Sequence, residues 1–421
     1  MNSYLRSQVI RGSIVLAVLF GLFNLFNFLY QLYMARSLSL SDFSALKTIF
    51  FFLYLGGILM ETIQTIVTKY IAQEPDRGRH KGFLTLYHKR ILPYAAATFL
   101  IMAIVAIPLS SMLSIQYGIL LAAGIFIVGS MLVPVTRGIL QGEKRFFSFG
   151  FSVLLEGIIK LFLALILVKQ GFGLYGAVIA VIAAIFISYI GTLLFLRWSL
   201  KEESKPAKLP GIRQYSLPVL FVTGTVIAFF NIDVLIARLV FTPETAGIYA
   251  IISTIAVVIY MGSQPIIKAL FPITAEKQDS KPASSNLKKA IALFTIGVLV
   301  ALSLVYFFPE LLIKTFSKQV FPEAIIPLFI LALGLSLLSF TNILLMYALS
   351  RGKTKGFKLI PLMLVIEIVC LLIGKKSLFS FSLAFLTATI IFLWASLVLL
   401  TDETSHNNTS LQRRKTHRQN A

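Results

Sequence analysis

Residues 35–42 read Ala35-Arg36-Ser37-Leu38-Ser39-Leu40-Ser41-Asp42, and residues 237–244 read Ala237-Arg238-Leu239-Val240-Phe241-Thr242-Pro243-Glu244. In both, an Ala-Arg pair closes a long apolar run, and an acid follows the arginine by six residues before the next apolar run begins. The two copies lie 202 residues apart, and Glu74 and Glu276 keep that spacing. A weaker echo pairs Gly142 with Gly352 and Arg145 with Lys355 at a spacing of 210. Self-similarity at a fixed offset is the mark of internal duplication. Each echo links one apolar run with the sixth run after it. Six membrane crossings bring the chain back to its starting side, so the halves have the same orientation. They form parallel repeats about an axis along the membrane normal, with a central cavity expected between them.

Hydrophobic residues make up 57% of the 421 and charged residues only 13%, with a mean hydropathy of +0.88. A soluble domain carries about 25% charged residues, and a helix needs about 20 mainly apolar residues to cross hydrocarbon. Stretches of that kind fall near 12–34, 46–71, 91–110, 114–137, 147–168, 173–196, 215–238, 246–271, 288–308, 324–348, 358–374 and 378–400. The expected fold is an all-α polytopic membrane protein of about twelve transmembrane helices. An N-lobe over 1–200 holds the first six and a C-lobe over 214–400 the others. A Lys-, Glu- and Pro-rich cytoplasmic linker over 201–213 joins them, and a basic tail over 401–421 is expected to be disordered. Residues 7–11 run straight into the first span with no small-residue cleavage pattern, so the helices themselves are expected to hold the chain in the bilayer.

A net charge of +21 would point to nucleic acid in a soluble protein. Here topology accounts for it. With a cytoplasmic N-terminus, 29 of the 38 Lys and Arg fall on the cytoplasmic side and 8 on the outer side, Lys160 lying within a span. This is a positive-inside distribution, which places both termini in the cytoplasm of a multi-pass protein of the cytoplasmic (inner) membrane. The same charge attracts anionic membrane lipids. The single cysteine, Cys370, excludes an intrachain disulfide, and the four histidines lie in loops or the tail. No metal site, cofactor or enzyme chemistry is expected.

Five ionisable groups fall inside spans: Glu61, Glu156, Lys160, Asp233 and Glu367. Each costs about 2.5–3.5 kcal/mol near a helix centre, so all five are expected to face protein or a watery cavity. Span five carries Ser148, Ser152, Glu156 and Lys160 at every fourth position, the last two in the favourable acid-then-base order. Span one carries Gly21, Asn24, Asn27 and Gln31, span two Glu61, Gln64, Thr65 and Thr68, and span eight Tyr260, Gln264 and Lys268. Small and hydroxyl residues on such stripes also serve plain helix packing. Glu156 and Lys160 read equally as a structural ion pair or as cavity groups. Arg36 and Arg238 read as interface anchors or ligands, and Arg137 and Lys268 as snorkelling side chains or ligands. Glu367 has no evident partner.

At these residues a family becomes recognisable. Residues 27–42 (NFLYQLYMARSLSLSD), 140–146 (LQGEKRF), 215–218 (YSLP) and 231–249 (NIDVLIARLVFTPETAGIY), with Phe271-Pro272, resemble the polysaccharide flippases of the multidrug/oligosaccharidyl-lipid/polysaccharide exporter superfamily. The similarity runs through spans one to eight and fades after residue 320. It implies two six-helix lobes that open in a V to one side at a time, and a substrate of oligosaccharide on polyprenyl pyrophosphate. It also implies that the family's span-five acid-then-base pair falls on Glu156 and Lys160, and the acid of its N-x-D segment on Asp233. Relatives that flip the peptidoglycan precursor usually carry two further C-terminal helices, and drug-exporting relatives often use a carboxylate in the first helix. This sequence has neither.

A pyrophosphate-sugar head group cannot cross hydrocarbon unaided, because desolvating its charge and hydroxyls costs far more than thermal energy. A carrier needs cations for the pyrophosphate, here Lys160, Arg36, Arg137 and Lys268. It needs amides for the sugar, here Asn24, Asn27, Gln31 and Gln264, with Glu156 beside them. Asp233, and secondarily Glu61, are the candidate carriers of a coupling H+ or Na+. Expected partners are the lipid-linked oligosaccharide, membrane lipids and neighbouring glycan polymerases or glycosyltransferases, with no nucleic acid. Two other readings stand beside this one: a cation-coupled multidrug antiporter of the same fold, and a non-transporting scaffold for glycan synthesis.

Overall fold

The computed structural model describes residues 3–74, 76–201, 203–206, 213–275, 282–350 and 356–419. Thirteen α-helices follow in chain order: α1 Ser3–Ser37, α2 Leu40–Gln73, α3 Arg77–Leu113, α4 Tyr117–Gly142, α5 Phe146–Leu167, α6 Gly173–Lys201, α7 Arg213–Val240, α8 Pro243–Ala275, α9 Pro282–Phe307, α10 Pro309–Ser317, α11 Pro322–Ser350, α12 Leu362–Ile373 and α13 Leu378–Gln419. Among the described residues nine helical runs are long and apolar enough to cross a membrane, ten when one bent pair counts as a single span. Residues 146–197 count there as one run, yet they hold both α5 and α6. A π turn at Val168–Phe172 parts them, with Gly171 at φ 90°, a conformation that favours glycine.

Two spans differ from their expected form. Span nine, read over 288–308, breaks at Phe308, and α10 leaves α9 at 82°. Pro309 starts α10 at a position where its missing N–H costs nothing. Span eleven, read over 358–374, is a 3-10 turn at Phe357–Leu359 followed by α12 of 12 residues. At 1.5 Å per residue α12 is about 18 Å long, short of the hydrocarbon thickness of about 30 Å. The last helix, α13, runs from Leu378 to Gln419. No glycine or proline follows Leu378, so nothing local stops that helix.

The chain divides into two units, Met1–Ser216 with Thr242–Gly247, and Leu217–Phe241 with Ile248–Ala421. In the first, α4 packs on α2, α3 and α6, and α5 on α1 and α6. In the second, α11 packs on α9 and α13, and α12 on α13. The pairings α3–α4, α4–α6 and α5–α6 thus recur as α9–α11, α11–α13 and α12–α13, which is the duplication seen in three dimensions.

The register of that duplication differs by one residue from the sequence match. Ser39 caps α2 by accepting from the Asp42 N–H, and Thr242 caps α8 by accepting from the Thr245 N–H. These equivalent caps lie 203 residues apart, and burial follows them. Met34 and Ala237 are both fully buried, whereas Arg36 and Leu239 are both exposed. Arg36 and Arg238 are therefore not equivalent: Arg238 is buried where Arg36 is not. The Gly352 and Lys355 side of the weaker echo lies outside the described residues.

The polar stripe on α2 is largely a packing seam. A Cβ at Gly138 or Gly142 of α4 would lie 2.7 Å from Val67 or Ile71, so both positions need glycine for the helices to approach. Gln64 Nε2 and Thr68 Oγ1 donate to Gln141 Oε1 at 2.9 and 3.1 Å across this seam. Small residues that allow close approach, joined by polar side chains, hold helices together in lipid, where the hydrophobic effect contributes little between them.

Candidate functional site

In the first unit, the charges inside the membrane pair differently from the sequence reading. Arg137 on α4 is 3% exposed, and its Nη2 donates to Glu156 Oε2 at 2.7 Å, Ser188 Oγ at 2.9 Å and Ser152 O at 3.2 Å. The snorkelling reading of Arg137 is thereby corrected: its guanidinium turns inward to join α4, α5 and α6. Among the described residues no ion pair joins Glu156 to Lys160, so the structural-pair reading of those two is corrected as well. The physical reason is geometric. Nη2 of Arg137, arriving from the neighbouring helix, meets the Glu156 carboxylate, the Ser188 hydroxyl and the Ser152 carbonyl at one point.

The groups in contact with Lys160 are neutral, and Glu156 reaches it only through its electrostatic field. Its Nζ donates to Asn27 Oδ1 of α1 and sits 5.1 Å from the centre of the Tyr30 ring. Tyr30 is fully buried, and its hydroxyl donates to Ala177 O on α6, which fixes the ring under the ammonium. Asn24 is exposed one turn from Asn27. Gln31 is half-buried, and its Oε1 has no hydrogen-bond partner among the described residues. Asn24, Asn27 and Gln31 thus share one face of α1, with Lys160 held at its middle position. The structure does not bring Arg36 to this group, since it is exposed in the last turn of α1. Glu61 is exposed on α2 and in no ion pair among the described residues.

Among the described residues of the second unit, two acids, Asp233 and Glu367, and one cation, Arg238, are buried. Asp233 on α7 is 2% exposed, and its Oδ2 accepts from the Tyr249 hydroxyl of α8 at 2.9 Å. Glu367 on α12 is fully buried, and neither of its carboxyl oxygens has a hydrogen-bond partner among the described residues. Glu367 lies within electrostatic reach of Asp233, and Tyr249 within reach of both. Asn231 turns its Nδ2 to Ile227 O of its own helix. On α8, the Tyr260 hydroxyl accepts from Asn342 Nδ2 at 3.2 Å, its ring lies 4.4 Å from that of Phe230, and Gln264 Nε2 has no described partner. The side chain of Lys268 lies outside the described residues.

Ser188, Tyr30, Tyr249 and Asn342 join these groups without having been singled out as site residues from the sequence. Each acts across helices, so no spacing along one helix marks it. Glu367 carried the one available signal, a lone acid in an apolar helix, which by itself names no partner.

The family profile described as polysaccharide biosynthesis protein matches residues 9–278. A membrane protein of Methanocaldococcus jannaschii, MJ1375, is 25% identical over 327 residues, covering 74% of this chain and 77% of that one. Among solved structures, an inward-facing multidrug resistance MATE family transporter of the MOP superfamily superposes with a TM-score of 0.68 at 16% identity, covering 91% of this chain and 96% of that one. The lipid II flippase MurJ in an inward closed conformation superposes with a TM-score of 0.68 at 13% identity, covering 92% and 87%. A MOP superfamily transporter from Pyrococcus furiosus, whose binding pocket is described as having reversed polarity, gives 0.57 at 16% identity, covering 93% and 95%. These likenesses establish that the chain shares the two-lobed, twelve-helix fold of those structures, and the match over residues 9–278 establishes that it belongs to the polysaccharide biosynthesis protein family.

Proposed function

We propose that this protein moves a polyprenyl-pyrophosphate-linked oligosaccharide across the cytoplasmic membrane by alternating access of its two lobes, with both termini in the cytoplasm. The observation that carries the reading is the charge balance of the first unit. Arg137 and Glu156 neutralise each other at 2.7 Å. Lys160 then stands as a nearly buried cation held by an amide oxygen and a ring face, with no carboxylate within ion-pair distance among the described residues. A desolvated ammonium whose nearest carboxylate is already engaged by an arginine attracts an anion. Pyrophosphate supplies that anion, and the amides of Asn24, Asn27 and Gln31 offer donors and acceptors to sugar hydroxyls.

The buried acids of the second unit serve a separate purpose in this scheme. Asp233 and Glu367 bring two buried carboxyls near each other, a pair suited to exchanging a small cation, H+ or Na+, with the Tyr249 hydroxyl holding one oxygen of Asp233. Cation exchange there would couple the lobe movement to an ion gradient. The same acids would serve a multidrug antiporter, but Lys160, whose nearest acid Glu156 is paired with Arg137, disfavours a cationic drug in the first unit. The test is a proteoliposome assay that follows a fluorescent polyprenyl-pyrophosphate oligosaccharide and a lipophilic cationic dye in parallel. Movement of the lipid-linked sugar with no movement of the dye supports the proposal, and the reverse replaces it with antiport.

A further inference from the structure

The segment that leaves α6 toward the second lobe does not start as a loose tether. Residues 203–206 cross the first turns of α3. The Lys205 N–H donates to Gly78 O at 3.0 Å, and Lys205 Nζ lies 2.8 Å from Asp76 Oδ2. A Cβ at Gly78 would lie 2.6 Å from Glu203 O, and a Cβ at Gly82 would collide with Lys205 O. The two glycines, one helical turn apart, are the groove in which the segment rests. The ion pair is exposed and by itself stabilises little. Backbone pairing and the missing side chains define the seat.

Beneath the seat lies His80, 3% exposed. Its Nδ1 is 2.9 Å from Glu143 Oε1 at the end of α4, and its Nε2 is 2.6 Å from Glu74 O at the end of α2. Carboxylate and carbonyl oxygens both accept, so both ring nitrogens must donate and the ring is an imidazolium. His88, two turns further along α3, differs in its partners: Nδ1 is 2.8 Å from Leu84 O, and Nε2 is 2.6 Å from the Tyr189 hydroxyl, a group that can donate as well as accept. The charged ring joins the cytoplasmic ends of α2, α3 and α4. It also holds the Glu74–Asp76 turn, where Glu74 Oε1 accepts from the Asp76 N–H and Asp76 in turn grips Gly78 N and Lys205. The charged groups around it are Glu74 and Asp76 from the turn, Arg79 from α3, Glu143 and Arg145 from the α4–α5 corner, and Lys205 from the crossing segment.

We propose that residues 203–206 are a strap latched to the first lobe, and that the protonated His80 is the peg that keeps the latch in place. Force transmitted along the chain between the lobes then enters at the joined ends of α2, α3 and α4 rather than at the end of α6. The α4–α5 corner at Glu143 leads directly into the helix that carries Glu156 and Lys160. The inference holds whatever the substrate.

The fourteen residues 77–90 hold five Lys or Arg and both α3 histidines, which places this part of α3 outside the hydrocarbon. Burial opposes the charge on His80, but the hydrogen bonds to Glu143 and the Glu74 carbonyl outweigh it, and the pKa lies above the ordinary histidine value. A raised folded pKa gives stability that is complete below the unfolded value and is lost as pH rises through the folded one. The strap should therefore loosen with alkalinity.

Hydrogen exchange on the full-length protein in nanodiscs reads this at the Lys205 amide, with rates corrected for base catalysis. At about pH 6 the wild-type amide should exchange at least about tenfold more slowly than an open chain, and the protection should shrink toward about pH 9. Gly82→Ala suits helix α3 better than glycine does, yet its methyl occupies the strap's seat. It should abolish protection at Lys205 while α3 stays protected. His80→Gln should weaken protection at low pH and remove its pH dependence. Full Lys205 protection in Gly82→Ala would overturn the strap, and pH-independent protection in the wild type would overturn the histidine peg.

Discussion

Arg137 Nη2 lies 2.7 Å from Glu156 Oε2, with the arginine 3% and the glutamate side chain 16% exposed. Glu156 is thereby committed to a neighbouring helix, and its own-helix neighbour Lys160 is released. Removing one partner of a buried pair leaves the other charge uncompensated, at a cost of about 3–5 kcal/mol. Arg137→Met and Glu156→Gln should each lower the unfolding midpoint in detergent markedly, and the double variant should lose less than the sum. The cycle pairing Glu156→Gln with Lys160→Met should show a much smaller coupling. A larger coupling in that second cycle would reverse the assignment.

Lys160 should matter to transport far more than to stability. A hydrogen bond to a charged group contributes about 1.5–3 kcal/mol, so Lys160→Ala should slow flipping of a polyprenyl-pyrophosphate oligosaccharide by about tenfold to hundredfold. Lys160→Arg, which keeps the charge, should recover part of the rate. Asn27→Leu should weaken apparent affinity, because it removes the oxygen that orients the ammonium. The check is initial rate against lipid concentration in proteoliposomes, with unfolding midpoints measured on the same preparations. Normal transport by Lys160→Ala would take this residue out of the substrate path.

Much of this architecture is legible along the chain because it rests on period and composition. Apolar run lengths set the helices, and the Ala-Arg corners disclose the duplication. Asn27 and Lys160, flagged separately by polar phase, meet in space. The exceptions have specific causes. The Ala-Arg match slips by one residue from the structural register, because the caps Ser39 and Thr242, not the arginines, set the corners. The Arg137–Glu156 and Asp233–Tyr249 contacts each join two helices. A single sequence carries no phase relation between separate helices, so such pairs are invisible until the helices pack. His80 reads as a loop histidine until Glu143 and the Glu74 carbonyl close on its two nitrogens.

Topology follows from the 29-to-8 distribution of Lys and Arg. Single cysteines placed near 40, 172, 243, 315 and 376 on a Cys370→Ser background should react with an impermeant maleimide in intact cells. Cysteines at 205 and 282 should react only after permeabilisation. Labelling of position 205 or 282 in intact cells would invert the assignment of the termini.

Coupling is the most exposed part of the proposed mechanism, and the acids of the second unit make it testable. Asp233 and Glu367 are buried on α7 and α12, near enough to feel each other's charge, with Tyr249 bonded to Asp233. By the cap register, Asp233 occupies the place that Tyr30 occupies in the first repeat, where the nearby charge is the cation Lys160. The second repeat therefore places a carboxyl where the first has an uncharged ring, and in the proposed mechanism that asymmetry lets one half take an anion while the other exchanges a cation. Asp233→Asn and Glu367→Gln each remove one titratable carboxyl without much change of shape. Under an imposed pH or sodium gradient, each should lose most gradient-driven transport and retain slow downhill exchange of the lipid-linked sugar. Repeating the assay with each gradient in turn identifies the ion. Replacing one acid should also lower the site's affinity for that ion, seen as a higher ion concentration for half-maximal rate. If both variants keep full gradient-driven transport, the pair is structural and the driving force enters elsewhere.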